Sequence, residues 1–353
     1  MGLDMTVVFY PGVIPLQLHQ QQYLWWRPEA PVKHNYVLVS YAIVNGEPVR
    51  PLLRPDLDIM GDSGAVQLYN KGISIPVFRL VSWQEENCNW GVPLDIIVGD
   101  FNSRLKQSIR NFEEHIKYAQ GKCKFLLPIH GPSVSEFKEW WQAVKHLVDD
   151  YDGLAIPRLQ NRKGVAPSKF SNSPLFRSIP IGFIIGKTDV AHQFAVGQDK
   201  TRLILIIWSQ RYFKRVSIDA SSYFVPGANR IFKTPKFWNK EIDVSSKVRK
   251  EGGRRAKLTK LPCLCPACRM FEKEILENSA SPIVENYIME HQLYQDLEYL
   301  HFLDALSTDE ELFLEYVKDV DSTLLRDIEF LECCAKEGFD IAYQKFGGLS
   351  VWT

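Results

Sequence analysis

Lys124-Phe125-Leu126-Leu127-Pro128-Ile129 is a short apolar run closed by His130 and Gly131, and the amphipathic stretch Ser133–Val148 follows at once. A run this short and apolar reads as a buried strand, and the stretch after it repeats its apolar residues at helical spacing. The same unit recurs outward in both directions. Further candidate strands are Tyr36–Ala42, Leu57–Met60, Leu94–Val98, Gly153–Ile156, His192–Val196 and Arg215–Ile218, with another amphipathic stretch at Ser103–Ala119. Strand–helix alternation over this length predicts a parallel α/β fold. The number of units fits a closed (β/α)8 barrel of the TIM type better than an open sheet.

The polar residues of these units fall at strand ends. Asp62 follows Leu57–Met60, Asp100 follows Leu94–Val98, His130 ends its run, and Asp219 ends Arg215–Ile218. In a barrel all four open onto the C-terminal face, where active sites sit. One aspartate after a strand is ordinarily a cap or turn residue, and Asp62-Ser63-Gly64 fits that role too. Four such positions, with glycines beside three of them, point to a polar site.

Cys263-Leu264-Cys265-Pro266-Ala267-Cys268 places three thiols in six residues, too crowded to pair with one another as disulfides. They can converge on one metal ion, and a His from a following helix would complete a tetrahedral Cys3His zinc site. His291 is the expected fourth ligand, and His301 is its rival ten residues on. The bland alternative is three buried cysteines packed as small hydrophobes.

Lysine plus arginine and aspartate plus glutamate both number 42, so the net charge is zero and the overall balance is silent about nucleic acid. Locally, Lys247–Lys260 is strongly basic and runs into the cysteine cluster. That is a solvated loop or a phosphate-contacting surface. The cysteines form no disulfide framework, and neither a signal peptide nor a long apolar run is evident, so a cytoplasmic protein without a membrane segment is expected. The start, Met1-Gly2-Leu3-Asp4-Met5-Thr6, fits a myristoylation pattern short enough to be coincidence. Composition and texture divide the chain into a main barrel part (1–235), a basic and zinc-binding unit (236–306) and C-terminal helices (307–353). The last begins at a cap-like Ser307-Thr308-Asp309 followed by Glu310 and Glu311, and Thr308–Phe346 reads as two helices.

Four blocks, in order, resemble the tRNA-guanine transglycosylase superfamily. Asp62-Ser63-Gly64-Ala65-Val66-Gln67 is similar to its D-S-G-[GA]-x-Q motif. Pro128-Ile129-His130-Gly131 is similar to its strand ending in Q-G. Ser217-Ile218-Asp219-Ala220-Ser221-Ser222-Tyr223 is similar to the archaeal-type F-D-S-A-S-Y segment. The cysteine trio with Glu290-His291-Gln292-Leu293-Tyr294 is similar to its zinc motif and H-N-L-x-Y helix.

The resemblance implies a (β/α)8 barrel carrying a zinc subdomain, with structural Zn2+ on Cys263, Cys265, Cys268 and His291. It implies base exchange in a polynucleotide. Asp219 would attack the sugar C1′ and expel guanine, Asp62 would manage protons, and a 7-deazaguanine would re-enter with retention. Ser63, Gly64, Asp100, His130 and Gly131 would bind the base, Asp100 by accepting hydrogen bonds from its N1–H and amino group. Asp100 lies one residue closer to Asp95 than the family spacing has it. Two departures bear on the incoming base: His130 replaces a glutamine, and Pro157-Arg158-Leu159 replaces a G-G-L turn.

The stretch after Asp219 lacks the arginine-rich segment by which bacterial-type relatives hold tRNA, and nothing here corresponds to the extra RNA-binding domains of archaeal ones. DNA is therefore the expected substrate ahead of tRNA. A homodimer or helper protein is the partner the likeness implies. The competing class is a non-catalytic, zinc-containing binding subunit, against which both aspartates weigh, and a weaker one is a hydrolase that leaves abasic sites.

Overall fold

The computed structural model describes residues 7–12, 24–131, 133–156, 175, 177–194, 196, 199–220, 231–232, 242–243, 261, 263–277 and 283–347. Eight parallel strands form a nearly closed barrel. They are β1 (Val7–Pro11), β2 (Tyr36–Ser40), β3 (Asp58–Asp62), β4 (Trp90–Gly91), β5 (Lys124–Pro128), β6 (Gly153–Ile156), β7 (Val190–Gln193) and β8 (Arg215–Ala220). Their order around the sheet is β1-β8-β7-β6-β5-β4-β3-β2, and a parallel bridge between Gly12 and Leu38 joins the two ends. The (β/α)8 expectation holds.

Helices surround the strands. α1 (Ala65–Lys71) and α2 (Val77–Asn87) follow β3, α3 (Phe101–Tyr118) follows β4, and α4 (Val134–Val144) follows β5. α5 (Ile179–Ile184) and α6 (Lys200–Ser209) follow β6 and β7. β9 (Ile231–Phe232) and β10 (Ile242–Asp243) make a small antiparallel pair. Then come α7 (Pro266–Glu277), α8 (Ile283–Leu306), α9 (Glu310–Asp321), α10 (Leu324–Glu337) and α11 (Phe339–Gly347). α8 packs on β1 and α6, the place an eighth barrel helix would take, and α10 covers α5 and α6. None of the described helices is long and apolar enough to cross a membrane.

The strand period of two explains what fills the barrel. Asp58, Met60 and Asp62 of β3 share one face, as do Arg215, Ser217 and Asp219 of β8. Val8, Tyr10, Leu38, Met60, Trp90, Val92, Leu126 and Ala155 form a separate apolar cluster inside the ring. The other strand face joins the helices in the larger core.

Four sequence expectations shift. β1 lies ahead of the first expected strand. The fourth strand is Trp90–Gly91, whereas Leu94–Val98 is irregular. Its backbone groups serve the next helix instead of a ladder: Ser108 Oγ accepts from Ile96 N–H at 2.9 Å, and Asn111 Nδ2 donates to the Leu94 carbonyl at 3.0 Å. Pro93, between them and β4, has no N–H to give a neighbouring strand. β7 ends at Gln193, three residues before the expected Val196. Finally, Thr308–Phe346 is three helices, interrupted near Ser322 and again at Gly338, whose φ is 88°. Asp309 does cap α9, accepting from Leu312 N–H at 3.1 Å.

Candidate active site and metal site

Asp62 is the last residue of β3, and the chain must turn sharply after it. Gly64 makes that turn with φ 73°, and a Cβ there would lie 2.3 Å from Ser40 Oγ and 2.5 Å from Ala42 Cβ. The glycine of the Asp-Ser-Gly motif is therefore fixed by both conformation and space. The turn brings the backbone N–H groups of Ser63 and Gly64 onto the Asp62 carboxylate. Those bonds favour the charged form, but burial opposes them first, and the charges of Asp95 and Asp219 second. The net result raises the Asp62 pKa to about 7. Ser63 is fully buried, and its Oγ has no hydrogen-bond partner among the described residues.

Asp219, on β8, is one of the two carboxylates that act on Asp62, so the expected pair does meet at the C-terminal mouth. Asp219 Oδ1 lies 3.5 Å from Nε2 of His192, a fully buried residue of β7. His192 Nδ1 is 2.9 Å from Ser217 Oγ. The second neighbour of Asp62 is Asp95, whose Oδ2 is 2.7 Å from His130 Nε2. The side chains of both are at most 13 % exposed. Trp140 packs edge-on against the His130 ring at 4.8 Å and donates its indole N–H to the Pro128 carbonyl at 3.1 Å.

Asp100 is the correction. It is exposed, caps α3 by accepting from Ser103 N–H at 2.9 Å, and takes no part in this cluster. A hydrogen bond from the Ser103 side chain, and then this one from its backbone, hold the carboxyl below the usual range. Five residues earlier, Asp95 stands where a base-facing carboxylate was expected of Asp100. Gly131 has a structural reason of its own: a Cβ there would lie 2.4 Å from the Phe137 backbone nitrogen. Asp95 and His192 escaped sequence reading. Asp95 lay within a stretch read as a buried strand. His192 opened another such run, where a lone histidine usually signals packing. The retrievable signal was a polar residue interrupting a strand that feeds the same barrel end.

The second site lies between the start of α7 and the middle of α8. One donor atom each from Cys263, Cys265, Cys268 and His291 lies within 4.8 Å of the other three. His291 Nδ1 is 3.4 Å from Cys265 Sγ and 3.2 Å from Cys268 Sγ. Backbone N–H groups of Cys265 and Cys268 point at the sulfurs of Cys263 and Cys265, each at 3.4 Å, and Gln295 Nε2 donates to Cys263 Sγ at 3.4 Å. Hydrogen bonds among the three sulfurs draw the Cys263 thiol below its usual range and push those of Cys265 and Cys268 above it, so the three share protons as one group. Convergent soft donors supported by N–H groups fit a metal ion. His301 is not the fourth member; ten residues along a helix put it roughly 15 Å away.

The basic run 247–260, the turn 157–159, Ser221–Tyr223 and the segment 1–6 lie outside the described residues. No protein-family model matches the chain, and no curated protein matches it significantly.

Proposed function

We propose that this chain is a guanine transglycosylase of the tRNA-guanine transglycosylase superfamily, exchanging guanine in a polynucleotide for a 7-deazaguanine. The carrying observation is the pair Asp62 and Asp219 at the C-terminal mouth of the barrel, with the proton of Asp62 retained up to a pH of about 7. One carboxyl group that keeps its proton beside one that serves as nucleophile is the division of labour a retaining exchange needs.

In the proposed reaction an Asp219 oxygen bonds to C1′ while the C1′–N9 bond breaks and its electron pair leaves with guanine. Asp62 gives its proton to the departing base. The incoming base then loses a proton to the Asp62 carboxylate and attacks C1′. This breaks the aspartyl ester and returns the electron pair to Asp219. Asp95 and His130 line the same mouth; a carboxylate accepts from a guanine-like N1–H and amino group, and an imidazole N–H donates to a carbonyl. The target nucleotide must be unstacked or single-stranded for C1′ to reach Asp219.

Zinc is the metal proposed for the Cys3His group, because thiolates with one imidazole in a closed set of four suit it best. Its role would be structural, holding α7 against α8. DNA is the first substrate proposed, since no arginine-rich stretch follows Asp219, and tRNA is the alternative.

Radiolabelled guanine offered with bulk tRNA and with duplex DNA, in parallel, tests the reading. Incorporation into either, lost in Asp219→Ala, would support it, and the substrate labelled would decide between DNA and tRNA. Wild-type protein that binds a polynucleotide but incorporates neither guanine nor a 7-deazaguanine would favour the binding-subunit reading.

A further inference from the structure

We propose that His192 is the positioning residue of Asp219, presenting Nε2–H to Oδ1 in a tautomer that Ser217 fixes. This rests on the reading of Asp219 as the nucleophile. His192 and Ser217 are register partners on neighbouring strands, and Asp219 is two residues beyond Ser217 on the same face. The three side chains therefore stack along the barrel axis, with Asp219 uppermost. The His192 ring is wholly buried, edge-on to Phe194 at 4.6 Å and to Tyr10 at 6.3 Å. It is thus held on two sides and has little room to turn.

The direction of the bonds follows from chemistry. An ionised carboxylate can only accept, so the ring nitrogen facing Asp219 must carry the proton. In a neutral imidazole Nδ1 is then an acceptor, and the Ser217 hydroxyl, 2.9 Å away, donates to it. Among the described residues His192 Nε2 makes no close hydrogen bond, with Asp219 Oδ1 at 3.5 Å. A buried N–H without a partner is costly, and a small rotation of the carboxylate satisfies it. The same N–H then stabilises the charge that returns to the carboxylate when the aspartyl–C1′ bond breaks.

The arrangement contains serine, histidine and aspartate but is not a hydrolytic triad. Ser217 is 1 % exposed at the foot of the stack, beyond reach of a substrate. The nitrogen that faces it is Nδ1, whereas a triad histidine faces its serine through Nε2.

Two measurements test the inference separately from the proposed function. Nitrogen NMR of histidine-labelled protein should find His192 neutral with the proton on Nε2, and Asp219→Asn should shift that resonance. In the exchange assay, His192→Leu should lower kcat on the order of 100-fold, with KM for the polynucleotide nearly unchanged. His192→Gln, which carries an N–H to nearly the same place, should recover most of the loss. A proton on Nδ1, or equal losses for Leu and Gln, would overturn the inference. So would an effect on KM alone. If the wild-type protein exchanges no base but the tautomer and its response to Asp219→Asn are as stated, the hydrogen bond stands and the transglycosylase reading fails.

Discussion

Arg215 Nη2 lies 3.3 Å from Asp58 Oδ2 at the foot of the barrel, and four residues further along the same two strands stand Asp219 and Asp62. One pair of strands thus carries opposite charges at one end and two carboxylates at the other. Tyr10 completes the foot, donating to Asp58 at 3.0 Å and accepting from Arg215 at 2.7 Å. Burial, more than any other cause, raises the Asp58 pKa, and Arg215 is the main influence pulling it back down. Arg215→Met should therefore destabilise the fold by about 1–3 kcal/mol, since it strands a half-buried carboxylate, while Asp58→Asn should cost less. Urea unfolding of the two variants reads the difference. Equal losses would mean that packing, not the charge pair, dominates the foot.

Asp62 gives the protein a pH signature. Its native pKa is about 7, against the 3.8 ordinary for an aspartate. Between those values the native state holds more protons than the unfolded state, so this group's contribution to stability falls as pH rises and levels off above pH 7. Asp62→Asn removes that slope. The variant should match wild type near pH 4 and exceed it at pH 8 by a few kcal/mol, since each tenfold change in proton affinity is worth about 1.4 kcal/mol. Departure of the base should slow above pH 7 in the wild type, as the acid is lost. A variant whose stability curve runs parallel to wild type from pH 4 to 8 would show that Asp62 ionises normally.

Removal of the metal should loosen more than its own loop. α8 carries His291 and also packs on β1 and α6, so the Cys3His group is mechanically continuous with the barrel wall. Purified protein should contain one zinc per chain. Cys268→Ser, or a strong chelator, should release it and lower Tm on the order of 10 °C. Full metal content in Cys268→Ser would remove that residue from the ligand set.

What the sequence made legible divides along physical lines. Strands five and six were read with correct or nearly correct ends because a single apolar run describes a strand buried on both faces. The places of Asp62, His130 and Asp219 were legible because each stands at the C-terminal end of a strand, and such ends share the barrel mouth. The cysteine trio was legible because its spacing is local, whereas His291, 23 residues beyond Cys268, had His301 as a rival until the fold brought it to the sulfurs. β4 was not, because two residues carry no periodicity and Leu94–Val98 has the apolar content of a strand without its hydrogen bonds. Asp100 was misplaced in consequence. Once the strand moves back to Trp90–Gly91, the mouth belongs to Asp95 and Asp100 becomes the cap of a helix.

Gly131 shows how closely the wall behind the site is fitted. An added Cβ would lie 2.4 Å from the nitrogen and 2.6 Å from the Cα of Phe137, both backbone atoms of α4. Neither can rotate away, so Gly131→Ala must shift either the helix or the chain at His130. The expected cost is about 1–3 kcal/mol, as for other overpacked sites. Because His130 is adjacent and 2.7 Å from Asp95, base exchange should fall as well. Gly121→Ala is the matched control. Its φ of 79° strains any side chain, but no atom of the described residues lies within 4 Å of the added Cβ, and it precedes β5, at the end of that strand opposite the mouth. It should lose about 1 kcal/mol through backbone strain alone and keep full exchange activity. Equal activity in the two variants would mean that the position of His130 is not set by the contact between Gly131 and α4.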